Sequence, residues 1–366
     1  MIFQAVILVL ALFLFLYFNN GVRSLYDSRY KKLYIGILMV LCIAQSGLRD
    51  LSIGADTLNY FDMFYDAGMM SWREIIDAFQ DSESVKDPGY LALNKLFYVI
   101  CPSYRIFLIV TAAVFFYSLG KFLEKYTISL VEVMVAIALY QCLFYSFFSI
   151  TGIRQTLATA VLLLSVPYAI DRSFIKFILL VLLAFTQHKS ALLFSLFYIL
   201  PLFKNILRFQ LCSVVLYFLI AFVGVTYLSI FLSNTMFDNY AHYLLQQDYE
   251  GAKVFQYFIW LIFVGLLFLK KDAQYSAENS CVFANAVSVA FALTPLILLN
   301  PSNMRILQYF SICSLIILPR LCLSFGRKYL LFLSFVVFLF LSVYTLYRQS
   351  EYKFFWQADS IEATLR

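Results

Sequence analysis

The residues best placed to do chemistry are four sets of cations at the ends of apolar runs. Arg49 closes one run. Arg154 opens another, within Ser149-Ile150-Thr151-Gly152-Ile153-Arg154-Gln155-Thr156. Arg305 opens a third after Asn300-Pro301-Ser302-Asn303, and His188 with Lys189 interrupts two others in Thr186-Gln187-His188-Lys189-Ser190. A charge at membrane depth is costly unless it faces a cavity or a partner, so each position is a candidate site. Permanent guanidiniums converging with a lysine on one leaflet would receive a doubly charged anion such as pyrophosphate, because the planar fork binds phosphate oxygens bidentately and keeps its charge. The competing reading is interfacial anchoring, with long side chains reaching up to lipid head groups. For Arg154, the small and hydroxyl-bearing neighbours permit close helix contact and favour burial and function. His188 at a helix N-terminus reads as a neutral imidazole, serving as base or phosphate ligand, or else as a polar helix start.

A second constellation, Arg49-Asp50-Leu51-Ser52-Ile53-Gly54-Ala55-Asp56-Thr57-Leu58-Asn59-Tyr60, puts acid, base, glycine and amide in one turn above an apolar run. Asp56 is there either a catalytic carboxylate or the cap of a new helix. Metal chemistry is poorly supported, since the one close acidic pair, in Asp81-Ser82-Glu83, has no His or Cys near it. Phosphate loops, dinucleotide fingerprints and nucleophile elbows are absent. The 7 cysteines lie mostly inside apolar stretches without paired spacing and read as small buried hydrophobes. No metal and no cofactor is expected. His242 reads as a solvated residue.

The elements that must position these groups are membrane helices. A composition 63% hydrophobic and 13% charged over 366 residues excludes a water-soluble fold, and a net charge of +6 spread along the chain does not point to nucleic acid. The expected class is an all-α polytopic integral membrane protein, a single transmembrane domain over 1–366. Spans are predicted near 2–18, 33–47, 104–120, 128–148, 154–170, 174–187, 189–203, 209–231, 254–269, 281–299, 306–319 and 329–346, about twelve in all. No base precedes the first run and no cleavage signature follows it, so it reads as a retained span. Arg23, Arg29, Lys31 and Lys32 follow it, and the positive-inside rule then puts the N-terminus outside. The predicted inner connections hold Lys121, Lys125, Arg172, Lys176, Lys204, Arg208, Lys270, Lys271, Arg320, Arg327 and Lys328.

Residues 174–203 are too few for two full crossings of about 20 residues each. They form either a shortened hairpin with His188 below the surface or one kinked helix, which would invert every later connection. The long outer connection, 48–103, contains an amphipathic helix capped by Ser71 and Glu74, with Trp72, Ile75, Ile76 and Phe79 on one face. A further short helix begins at Asp87-Pro88-Gly89-Tyr90, with Asp87 as cap and Pro88 in the first turn. It is too short to cross and is either re-entrant or surface-lying. A second outer loop covers 232–253.

Taken in order, Arg49 with Gly54-Ala55-Asp56 and Asn59-Tyr60, then Asp87-Pro88-Gly89-Tyr90, Gly152-Ile153-Arg154-Gln155, His188-Lys189-Ser190-Ala191 and Asn303 with Arg305 resemble the EpsG-like group of Wzy-type polysaccharide polymerases. The resemblance covers most of residues 45–310. Where that pattern prefers Gly-Thr-Asp, this chain has Gly-Ala-Asp. The resemblance implies undecaprenyl-pyrophosphate-linked oligosaccharide repeat units as substrates, joined into O-antigen or a related surface polysaccharide at the periplasmic face of the bacterial inner membrane. Membrane lipid and a chain-length regulator protein are the further partners it implies. The matching parts are Arg154 and Arg305 on the departing pyrophosphate, Arg49 and Lys189 as further phosphate ligands, His188 or else Asp56 activating the acceptor hydroxyl, and Tyr60, Tyr90 and Gln155 toward the sugar. A lipid-linked oligosaccharide flippase and an O-antigen ligase remain the alternatives. A flippase should show charge at mid-membrane and on both leaflets.

Overall fold

A computed structural model describes residues 2–19, 21–79, 87–224, 249–268, 279–298, 301–324, 327–348 and 352–357. The described chain is helical. Its elements are α1 (Ile2–Phe18), α2 (Ser28–Gly47), α3 (Thr57–Met69), α4 (Trp72–Asp77), α5 (Pro88–Ile100), α6 (Tyr104–Tyr126), α7 (Leu130–Leu139) running into a π-helix (Tyr140–Thr151), α8 (Ile153–Ile170), α9 (Phe174–Gln187), a 3₁₀-helix (Lys189–Leu202), α10 (Ile206–Leu219), α11 (Tyr249–Leu266), α12 (Ser280–Leu293), α13 (Met304–Ser311), α14 (Ser314–Ser324) and α15 (Arg327–Tyr347). An isolated antiparallel bridge joins Arg49 to Phe354.

Every predicted span carries helix, but twelve crossings do not follow. Among the described residues six helices are long and apolar enough to cross a membrane, or seven if Pro301–Ser311 and Ser314–Cys322, bent by 63°, make one broken span. The other apolar runs fall short for identifiable reasons. α2 has 20 residues but carries Arg29, Lys31 and Lys32 at its start and Gln45 and Ser46 near its end. α9 has 14 residues, about 21 Å of α-helix against a hydrocarbon core of roughly 30 Å. The following 14 residues are wound as 3₁₀-helix, whose larger rise stretches them to about 28 Å. The 232–248 part of the second predicted loop, with His242, lies outside the described residues, as do Lys270, Lys271 and Asp81-Ser82-Glu83.

Contacts cluster into two compact units: Met1–Val166 with Ile175–Leu192 and Leu331–Arg366, and Pro167–Phe174 with Leu193–Leu330. In the first, α7 and its π continuation form the interior, with 89% of the apolar stretch of Leu130–Thr151 buried. Both α1 and α2 pack on α7, and α2 runs along α6. Polar side chains tie these helices together where lipid would leave them unsatisfied: Tyr34 donates to the Ala11 carbonyl at 2.8 Å, and Gln141 to Gln45 at 3.1 Å. Lys31 donates to the Glu124 carbonyl at 2.9 Å and to that of Thr127, placing a cation at the C-terminal end of α6 where the helix dipole favours it.

The 48–103 connection is three helices, of which α3 is a substantial addition to the sequence reading. The expected capping box is present, with Glu74 N donating to Ser71 Oγ at 3.3 Å and Ser71 N to Glu74 Oε2 at 2.6 Å. Ile75 is buried, while Trp72, Ile76 and Phe79 form an exposed apolar edge. α3 packs against α5, and Lys95 donates to the Gly68 carbonyl at 2.8 Å, closing the end of α3.

In the second unit α12 is the hub, packed against α10, α11, α13 and α14. Asn285, fully buried on α12, donates to the carbonyls of Leu200 (3.2 Å) and Phe203 (2.7 Å), satisfying the end of the 3₁₀-helix. The same unit settles how residues 174–203 run. The Tyr198 hydroxyl donates to the Arg172 carbonyl at 2.9 Å, the Arg172 guanidinium donates back to the Tyr198 carbonyl and lies 3.8 Å from that ring's centroid, and Phe174 meets the same ring edge-on at 5.2 Å. The far end of the second helix therefore lies beside the start of the first, and the segment is a hairpin with His188 at its tip.

Candidate functional site

The local sequence fixes Arg154 by closing the turn before it. The Thr156 hydroxyl donates to the carbonyls of Phe148 and Gly152, both at 2.9 Å, and Gly152 N donates to the Phe147 carbonyl at 2.8 Å. These bonds lock the π-helix end against the first turn of α8. Arg154 then leaves that turn at a set angle.

Its Nη1 donates to Asp87 Oδ2 at 2.7 Å, and the Asp87 Oδ1 accepts from Lys189 N at 3.0 Å. Asp87 stands at the N-cap of α5, as expected, but makes no capping bond, because both its oxygens are engaged elsewhere. This corrects the reading of Asp87 as a helix cap. Pro88 explains why the substitution is tolerated: proline in the first turn has no N–H to satisfy. Asp87 was missed as a site residue. The signal was that a buried guanidinium demands an acid, and the 48–103 connection holds 9 of the chain's 21.

The pair is only partly desolvated, with Arg154 22% and Asp87 7% exposed at the side chain. The Tyr60 ring centroid lies 5.7 Å from the guanidinium carbon, and Tyr60 packs edge-on against Tyr90 at 5.7 Å. Both tyrosines belong to a buried cluster with Phe64, Tyr104, Phe107, Leu108, Ile153 and Leu157. The Tyr60 ring lies beside the guanidinium and is itself braced by Tyr90. The Arg154 Nε is buried without a hydrogen-bond partner among the described residues, so what the side chain exposes lies elsewhere on the guanidinium or its stem. Gln155 is buried beside it.

The hairpin tip approaches α5 as closely as backbone allows. A Cβ on Gly89 would lie 2.5 Å from the Thr186 Oγ1 and 2.6 Å from its carbonyl oxygen, so only glycine fits. At the tip, Ser190 N lies 3.3 Å and Ser190 Oγ 2.8 Å from the His188 Nδ1. A backbone N–H donating to Nδ1 makes it an acceptor and leaves the ring proton of neutral imidazole on Nε2, the form suited to donating toward a phosphate.

Arg49 reaches the same region by a different route. Its Nη1 donates to the Ser46 carbonyl at 2.5 Å and its Nη2 to the Ile150 carbonyl at 3.1 Å, and the residue is 4% exposed. Gly54, at φ +100°, brings the loop onto Ile150, where a Cβ would stand 2.7 Å from the Ile150 side chain. Asp56 holds the N-cap of α3 without a side-chain capping bond. Thus Arg49, Arg154, His188 and Lys189 all belong to the first unit, and two of them anchor on the 149–154 turn. Arg305 belongs to the second unit, on the first turn of α13, after a 3₁₀ turn Pro301–Asn303 where Asn303 donates to the Leu296 carbonyl at 2.9 Å.

Fold and site together define a polytopic α-helical membrane protein with partly buried guanidiniums held on a turn between spans. Residues 32–358 match the EpsG family, and the chain belongs to it; that family is associated with polysaccharide biosynthesis. No curated protein and no solved structure matches the chain.

Proposed function

We propose that this chain is the polymerase that joins undecaprenyl-pyrophosphate-linked repeat units into O-antigen or a related surface polysaccharide at the periplasmic face of the bacterial inner membrane. The observation that carries the reading is Arg154, a partly exposed arginine held by Asp87 and an aromatic wall in a chain of the EpsG family. In the reaction the acceptor hydroxyl attacks the donor's anomeric carbon and the lipid pyrophosphate leaves. Charge grows on the departing oxygens, and fixed cations there stabilise the transition state more than the ground state. Arg154 takes that role, with Lys189 as a further phosphate ligand and Arg49 serving the second lipid-linked unit. His188 donates toward a phosphate oxygen as a neutral imidazole, which leaves Asp56 to accept the acceptor's proton. Gln155 faces the sugar, and Tyr60 and Tyr90 hold the guanidinium beside it. Reconstitution with purified lipid-linked repeat units tests the reading. A ladder of glycan lengths that Arg154→Ala abolishes, with the variant still folded in the membrane, is expected. Transfer to a lipid A core acceptor would indicate a ligase, and translocation without bond formation a flippase.

A further inference from the structure

A cavity of about 260 Å³ is lined among others by Arg49, Ser103, Tyr65, Tyr104, Arg105 and Phe355. Among the described residues its lining carries two arginines and no acid. The two guanidiniums differ in kind. Arg49 is 96% buried, from its 4% exposure, and its Nε has no partner among the described residues. Buried as it is, Arg49 still lines the cavity and puts a permanent positive charge at its wall. Arg105 is exposed, on the first turn of α6, with its guanidinium carbon 3.8 Å from the Phe355 ring centroid.

The aromatic wall is built by a long-range closure. Residues 352–357 return to the exit of α2, where Phe355 N donates to the Leu48 carbonyl at 3.1 Å and Asp50 N to the Lys353 carbonyl at 2.9 Å. The Tyr352 hydroxyl also donates to the Gln45 carbonyl, and Phe3 meets the Phe354 ring edge-on at 5.0 Å. The segment therefore holds Phe355 against Arg105 at a defined place. None of this involves Asp87 or Arg154.

We infer that this cavity is a binding site for an anionic sugar residue, with the ring against the aromatic walls and its carboxylate or phosphate on Arg49 and Arg105. The size favours one ring, since pockets for larger ligands run roughly 300–1,000 Å³. Aromatic faces suit the apolar face of a pyranose, and paired guanidiniums suit an oxyanion and repel a cation. That the sugar belongs to the glycan being built rests on the function proposed above; the binding does not.

Equilibrium binding to the full-length protein in neutral-lipid nanodiscs tests this with three probes: glucose, glucuronate and glucose 1-phosphate. At least one anionic probe is expected to bind about tenfold or more tighter than glucose, the size of one charge-assisted contact. The better of the two tells a glycan carboxylate from a carrier-linked glycosyl phosphate. Arg105→Ala and Phe355→Ala should each remove most of that preference, and Arg105→Lys should keep part of it. Arg105 is exposed, so the variant's folding is checked by its melting profile, and added salt should weaken binding in the wild type. Equal binding of neutral and anionic probes, or an unchanged preference in folded Arg105→Ala, overturns the site. A protein that prefers anionic sugars yet builds no ladder refutes the polymerase and keeps the cavity, while a ladder from a protein blind to sugar charge does the reverse.

Discussion

Asp87 illustrates how one carboxylate can be withdrawn from a local duty and given to a distant one. An aspartate before a proline-led helix ordinarily caps it, yet here its two oxygens go to Arg154 and to Lys189 N, 67 and 102 residues away. The pair neutralises Arg154 at rest, so under the proposed function a phosphate would compete with a single carboxylate for a guanidinium that is already oriented. Removing Asp87 leaves that cation without its counter-charge. Asp87→Ala should destabilise the protein by about 1–3 kcal/mol, below the roughly 3–5 kcal/mol of a fully buried broken pair because the Arg154 side chain stays 22% exposed. Unfolding of the two single variants and of the Asp87→Ala/Arg154→Ala double variant measures the coupling. Additive losses would show that the two side chains do not support each other. The arginines themselves were legible as charges at the ends of apolar runs. Asp87 was not, because its sequence context fits a cap and nothing local shows which base it meets.

Helices were legible where hydropathy is continuous and less so where tertiary contact decides. The runs at 174–187 and 189–203 coincide with α9 and the 3₁₀-helix almost residue for residue, since Thr186-Gln187-His188 marks the break. The 3₁₀ winding itself has no signature in the pattern. α3 was hidden because Asp56 and Gly54 read equally as a catalytic turn and a helix start, and its burial comes from packing on α5. The close approach of α5 and α9 makes a sharp test. Gly89→Ala should drive the hairpin tip away and lower both stability and any Arg154-dependent activity. Adding Thr186→Ala should not restore them, because the Thr186 carbonyl would still stand 2.6 Å from the new Cβ. A rescued double variant, in melting temperature and activity, would refute the backbone clash. α4 offers a test by pH. Hydrogen bonds from the Ser71 backbone N–H, chiefly, and from its side chain hold the Glu74 carboxyl below its ordinary range. A depressed folded-state value means the capping contribution is fully present above the unfolded carboxylate range, near pH 4.3, and fades as pH falls through the lower folded value. Amide protection in α4, corrected for intrinsic exchange, should therefore hold steady from neutral pH to about 5 and fall in more acidic solution. Protection that declines already between pH 7 and 5 would assign the change to another group.

At the scale of the whole molecule, hydropathy announced a multispan protein, and among the described residues six or seven of its spans are helices of full crossing length. Short and bent helices such as α9, α13 and α14 are tolerated only where neighbouring protein satisfies the freed backbone, and that neighbour is invisible in a window of residues. The direction of the chain can nevertheless be argued. Arg23 precedes α2, Arg29, Lys31 and Lys32 lie in its first turns, Arg172 follows α8, and acids gather in 48–103, so the positive-inside rule predicts Ser28 in the cytoplasm and Asn59 outside. Because Tyr198 lies beside Arg172 and Phe174, the hairpin returns to the side it left, so Lys204 must share that side with Ser28. One kinked helix through the same residues would deliver Lys204 to the side of Asn59 and reverse every later connection. Single cysteines replacing Ser28, Asn59 and Lys204, all exposed, in a cysteine-free background separate the two arrangements. A membrane-impermeant maleimide added to intact cells, with the outer membrane made permeable, should label Asn59→Cys and leave Ser28→Cys and Lys204→Cys unreacted until the inner membrane is opened. Labelling of Lys204→Cys together with Asn59→Cys would break the hairpin and move His188 away from the turn on which Arg49 and Arg154 are anchored.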